Sequence, residues 1–365
     1  MGIYFIDGFD APGTATQTGE LGMKWLVSNS GTGLSFVTGR SGGAGRSPAG
    51  QALRWASAQV TTRISRPLWK SGPDPSTASN EYEFTIGFGY RLGSIPASAS
   101  YLFRILNEDG TIQSGLQVTS SGTLRWVRPG PIVLATTSGQ ISAATWHHIE
   151  VYWGANGASR DTVLRIAIDG SVENFDGTLN NGTANDIDFG PDQTDMGTVD
   201  YDDIVFLDPQ DGIDPVGPML GETTIDTLAA TGDGNSTAWT GVGTGTADWE
   251  RIDDPLGTDA DGDSSYIESS TPGQESLFTF TSLAGDANDP YCVAVNTIAR
   301  QVEPGGASFY TMIRQSGAND YMPYRNPVCD SYMLSQVILH KDNSGSDWTT
   351  TTVDAAEFGV SVEAE

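Results

Sequence analysis

Period-two alternation constrains this chain more than any other feature it carries. In Glu81-Tyr82-Glu83-Phe84-Thr85-Ile86-Gly87-Phe88-Gly89-Tyr90 every even position is aromatic or aliphatic, as a strand with one buried face requires. Similar alternation runs through 148–153, 163–168 and 203–207. Asp109-Gly110, Ser121-Gly122, Asp169-Gly170 and Asp176-Gly177 supply the positive φ that tight hairpin turns need. No window of a dozen residues keeps apolar side chains at i, i+3, i+4 and i+7. The chain is therefore expected to be all-β.

Residues 208–218 hold three prolines and two glycines, a composition that excludes a central strand and reads as a linker. The expected division is a first domain over 1–208, a linker over 209–220 and a smaller β-sandwich over 221–365. Beyond the linker, 231–245 and 253–265 read as polar loops rich in Gly and Asp. Alternation resumes at 277–280, 291–302, 309–314, 332–339 and 358–362. One helical turn is expected at 354–357, on capping-box spacing.

The net charge is −28, from 46 acidic and 18 basic side chains. Such a chain has no basic stripe from which to release counterions, so nucleic acid is not an expected partner. No apolar run approaches the ~18 residues of a membrane helix, and the N-terminus has neither a basic lead nor a long apolar segment, so no secretory signal is expected.

The order Asp7-Gly8-Phe9-Asp10, Gly39-Arg40-Ser41-Gly42-Gly43, Gln51-Ala52-Leu53-Arg54, Thr145-Trp146-His147-His148-Ile149-Glu150-Val151, Leu164–Gly170 and Tyr201–Leu207 resembles the concanavalin A-like, laminin G-like jelly roll. The second part is similar to the C-terminal region of virion structural proteins from tailed bacteriophages. That likeness lies in Gly221, Ala238-Trp239-Thr240, Asp261-Gly262-Asp263-Ser264-Ser265-Tyr266-Ile267, Asp347-Trp348-Thr349 and 353–360. The resemblance implies a concanavalin A-like jelly-roll sandwich followed by a second sandwich. It also implies a non-enzymatic structural protein of the virion exterior, as head decoration or in the tail or its fibres, made in the host cytoplasm. Expected partners are other virion proteins and copies of itself in a homo-oligomer, with host-surface glycans as further ligands. Two alternatives stand beside this reading: a carbohydrate-binding adhesin for host attachment, and a glycan-cleaving jelly-roll enzyme.

Candidate chemistry is sparse. Glu81 and Glu83 share one strand face at roughly 6.5–7 Å, near the separation of a retaining glycosidase pair, but the family's third acid is replaced by Thr85. His147 and His148 point to opposite faces of one strand and cannot converge on a metal; one is expected beside Trp146 under the sheet and the other in solvent, with His340 apart. Asp200, Asp202 and Asp203, and Asp259, Asp261 and Asp263, are candidate calcium carboxylates, with a solvated acidic loop as the alternative. Starting from Asp259, an EF-hand would place glycine at Ser264 and glutamate at Ser270, so that motif fails. Calcium is the one cofactor under consideration. Gly241–Gly245 has no following lysine and reads as a turn. Cys292 and Cys329 are either free thiols or a disulfide.

A charge of this size strains the compact state by self-repulsion, which salt screens, and suits a saline setting or a generically acidic extracellular protein. The melting midpoint is expected to rise along a NaCl series; a midpoint indifferent to salt contradicts the strain.

Overall fold

The computed structural model describes residues 2–10, 15, 19–40, 50–57, 59–68, 83–107, 109–130, 132–156, 161–177, 186–208, 219–254, 260–283, 289–302, 306–315, 317 and 319–363. These fall into two compact units, the first ending at Ile225 and the second beginning at Asp226. The proposed linker core, 209–218, lies outside the described residues.

The first unit is built from fifteen strands among the described residues: β1 (Gly2–Asp7), β2 (Leu26–Val27), β3 (Leu34–Thr38), β4 (Gln51–Trp55), β5 (Ile64–Pro67), β6 (Glu83–Leu92), β7 (Ser100–Leu106), β8 (Ile112–Val118), β9 (Thr123–Arg128), β10 (Ile132–Gln140), β11 (His147–Asn156), β12 (Asp161–Ile168), β13 (Ser171–Gly177), β14 (Asp186–Phe189) and β15 (Val199–Asp208). They form two antiparallel sheets. One runs β13-β12-β11-β6-β15-β4-β3 with β1 also on β15; the other runs β10-β9-β8-β7-β14-β5-β2. The expected alternation is realised: Phe84, Ile86, Phe88 and Tyr90 of β6, and Ile149, Val151 and Trp153 of β11, are buried. Between the sheets Phe88 meets Phe103 at 5.9 Å and Phe189 at 5.7 Å. The Tyr201 hydroxyl crosses the core to donate to the Leu102 carbonyl at 2.5 Å. Losing one such ring costs about 3–5 kcal/mol in a packed core, so this aromatic layer fixes how the two sheets stack.

The second unit carries β16 (Ala230–Thr237), β17 (Thr240–Gly243), β18 (Ser265–Glu268), β19 (Glu275–Phe280), β20 (Val293–Ala299), β21 (Ala307–Gln315), β22 (Asn319–Val328), β23 (Met333–Leu339) and β24 (Glu357–Val362). A five-stranded sheet, β16-β19-β24-β21-β22, is faced by the β20-β23 ribbon across a core of Ile313, Val337, Leu339, Trp348, Val353 and Phe358. The Trp348 indole donates to the Leu339 carbonyl at 2.8 Å. The protein is thus all-β, a jelly-roll-type sandwich followed by a smaller one.

Several local expectations are corrected. Residues 231–245 are not loop: β16 and β17 occupy most of that stretch. Its glycines are what let the strand pair, since a Cβ on Gly234 would come within 2.9 Å of the Leu277 carbonyl group. Asp176-Gly177 is no turn but the end of β13, paired with Val163 and Thr162. The helical turn lies earlier than expected, at Thr350–Asp354, with Thr349 and Thr352 forming the capping box. A second short helix, Glu20–Lys24, has no apolar periodicity to announce it. The cysteines are free. Cys292 precedes β20 at one end of the ribbon and Cys329 accepts from the Gln301 N–H past the other, about 23 Å away along seven strand residues, whereas a disulfide needs Cα atoms within ~7 Å.

Candidate contact site on the first sheet

Because side chains alternate, the residues between the core positions of β6, β11, β15 and β4 all stand on the outer face of the first sheet. Register turns them into lateral rows. One row crosses four strands: Ser35 of β3 pairs with Arg54 of β4, Arg54 with Asp200 of β15, and Asp200 with Arg91 of β6. Next to Arg91 comes Trp146, adjoining the His147–Tyr90 pair. Asp200 is buried and accepts from two guanidiniums. Arg54 reaches it through Nε at 2.6 Å and Nη2 at 2.9 Å. Arg91 reaches it through Nε at 2.8 Å and Nη2 at 2.6 Å. The Arg91 guanidinium lies 4.6 Å from the centre of the Trp146 ring.

The adjacent rows are sealed by the chain's own irregular segment 219–225, here called the strap. β15 shifts register between Asp202 and Val205, with Asp203 in the left-handed region at φ 50°, and this bulge brings two successive carboxylates to one residue, Asp202 to its main-chain N–H and Asp203 to its guanidinium. Arg40 donates its main-chain N–H to Asp202 at 2.5 Å and its Nε to Asp203 at 3.1 Å. Its Nη1 reaches Glu222 at 2.9 Å, and its Nη2 donates to the Thr223 carbonyl. Gly39 and Gly89 make room for it. A Cβ on Gly39 would stand 2.5 Å from the Asp202 carboxylate, and one on Gly89 would stand 3.1 Å from the Arg40 side chain. Asp203 also accepts the Ile225 N–H at 2.8 Å. From β11, Glu150 accepts the Leu220 N–H at 2.6 Å and the Gly221 N–H at 3.0 Å, and His148 Nε2 lies 3.3 Å from the Thr223 hydroxyl.

Burial governs the protonation of this network. It pushes the Glu150 carboxyl up to about 7, against two N–H donors that favour the charged form. It pulls His148 down to about 4, with the Arg40 charge acting the same way, so the imidazole is neutral. Asp202 is held well above the usual carboxylate range, by burial first and then by the neighbouring Asp203 charge. A carboxyl titrating near 7 has the acidity of a general acid. Both of its oxygens, however, are occupied by the strap.

The calcium candidates of the first unit are thus each committed to cationic or N–H donors. In the second unit Asp263 accepts from Arg300 at 2.7 Å and from the Tyr332 hydroxyl at 2.6 Å, and Asp261 holds Ser265; Asp259 lies outside the described residues. No group of three or more metal-ligating His, Cys, Asp or Glu side chains occurs among the described residues. Of the glycosidase pair, Glu81 lies outside them, as does the side chain of Glu83.

Both His147 and His148 are buried, which corrects the expectation of one in solvent. His147 stands between Asp169 (Nδ1 to Oδ2, 2.7 Å) and the Ser142 hydroxyl (Nε2 to Oγ, 3.1 Å), a juxtaposition that sequence order did not reveal. It has the connectivity of a Ser-His-Asp relay. The single Nε2 lone pair, however, already accepts the Ser142 main-chain N–H at 2.9 Å. With Asp169 also accepting the His148 N–H, the group clamps two turns together.

Glu150 makes the strap pH-sensitive with a defined sign. Its folded-state pKa of about 7 exceeds the ordinary 4.5, so folding takes up a proton between these values and Glu150's contribution to stability falls as pH rises through 7. Denaturant titration of Glu150→Gln is expected to show the variant gaining on the wild type between pH 5 and pH 8. A difference independent of pH contradicts the assignment.

No protein-family model matches the chain, and no curated protein is similar to it in sequence. Among solved structures it is similar to Trypanosoma rangeli sialidase, at 16% identity over 42% of this chain and 25% of that one, TM-score 0.32. It is also similar to the heptameric SAP-like pentraxin of Limulus polyphemus, at 13% identity over 34% and 63%, TM-score 0.27. A third is HCR/D-Sa-GBL1/C, at 9% identity over 91% and 89%, TM-score 0.34. The matched part of the chain spans about a quarter of the sialidase's length. Likenesses of this size say nothing about ligand or activity.

Proposed function

We propose that the protein is a structural component of the exterior of a tailed-bacteriophage virion, in head decoration or in the tail and its fibres, and that it works by contact with copies of itself and with other virion proteins. The observation that carries this reading is the commitment of the buried ionisable groups on the first sheet. Asp200, Asp202, Asp203 and Glu150 spend their hydrogen bonds on Arg54, Arg91, Arg40 and the strap, which suits a rigid scaffold. The sheet edges fit the same role. Glu173 of β13 accepts the Ser138 and Gly139 N–H groups of edge strand β10 at 2.9 Å, which blunts that stretch against strand addition. Upstream on the same edge, Ile132 and Val133 are each 46% exposed and available for a neighbour. Among the described residues no helix is long and apolar enough to cross a membrane.

Adding the purified protein to particles stripped of it, followed by sedimentation, tests the reading. Saturable addition at symmetric positions is expected. Failure to add, together with release of reducing ends from host glycans, would favour the enzyme alternative and overturn it.

A further inference from the structure

Asp200 carries more positive charge than its burial demands. One bidentate guanidinium neutralises a buried carboxylate, yet Asp200 holds two, in a chain with only 18 basic residues against 46 acidic ones. The arginines are also not sealed in: their side chains are 30% and 26% exposed, while Asp200 beneath them is 1% exposed. After four bonds to Asp200, the Nη1 groups of Arg54 and Arg91 have no partner among the described residues. Arg91 is further held by Trp146, a half-buried indole at 4.6 Å. Ser35, exposed, closes the other end of the row. Four strand spacings from Ser35 to Trp146 make a track roughly 19 Å long.

The chemistry of this track selects its ligand. Its charged groups only donate, since both Asp200 oxygens are consumed, so a ligand must bring acceptors; an excess positive charge favours an anionic one. The flat indole offers an apolar face of the kind on which a sugar ring's C–H face packs. Two guanidiniums pinned by a shared carboxylate lose little side-chain entropy on binding. We propose that the Arg54–Asp200–Arg91–Trp146 row is a binding site for carboxylated saccharides, which goes beyond the contact role proposed above. The local excess charge opposes the −28 field of the whole chain, so moderate salt, by screening that long-range repulsion, assists the encounter.

Isothermal titration of the full chain with trigalacturonate and sialyllactose, against neutral galactotriose, tests the site. At least one acidic saccharide is expected to bind saturably and galactotriose far more weakly. Trp146→Ala and Arg91→Lys should each weaken that binding about tenfold, the scale of one lost stacking or bidentate contact of ~1.4 kcal/mol. Arg91→Lys keeps a cation on Asp200, which guards the fold. Arg165→Ala removes a charge from β12, where Arg165 lies over Tyr152, and should leave affinity unchanged. No saturable binding of either acid, equal binding of galactotriose, or full affinity in both folded row variants would each overturn the proposal. Addition to stripped particles is read separately, so this failure leaves the virion reading standing.

Discussion

Arg40 is the cation on which the outer face of the first sheet depends. Two successive aspartates on a bulged strand would be untenable there alone, because burying a second carboxylate beside the first costs several kcal/mol. The guanidinium resolves this by touching Asp203 while the residue's own N–H serves Asp202, and its remaining donors then hold Glu222 and the Thr223 carbonyl. With the Arg40 side chain 9% and Asp203 1% exposed, removing the cation would break a buried ion pair, a loss of about 3–5 kcal/mol. The strap, the bulge and the glycines at 39 and 89 are geometrically parts of one arrangement.

A chain at −28 must distribute its few cations. The structure sets several of them against buried carboxylates: Lys24 on Asp7 at 3.0 Å, Arg104 on Asp188 at 2.7 Å, Arg54 and Arg91 on Asp200, and Arg40 on Asp203. The buried Glu150 and Asp202 carboxyls are held instead by main-chain N–H groups. Long-range repulsion between exposed charges acts through solvent, where ions screen it.

How much of this was legible depends on the range of the interaction. Phe84, Ile86, Phe88 and Tyr90 face the core because a period of two is a property of neighbouring residues, and the Asp169-Gly170 turn, with φ of 49° and 76°, is equally local. The polar strand β16 was unreadable, since its pairing with β19 overrides the low strand propensity of its Gly, Asp and Asn. The aspartate clusters were visible as clusters, but their partners were not. Arg40 lies 162 residues from Asp202, and Arg54 lies 146 from Asp200. An acidic run whose counter-ions come from distant strands looks in sequence like a cation site. The bulge at Asp203, which aims both carboxylates at one arginine, leaves no composition signal at all.

Site-resolved amide hydrogen exchange on the native protein tests the sealed outer face most directly. The N–H groups of Leu220, Gly221 and Ile225 belong to irregular chain, yet each is held by a buried carboxylate. They should exchange as slowly as amides of β6 and β11 in the wild type and lose that protection in Arg40→Ala. Exchange at the rate of an open loop in the wild type would contradict the account.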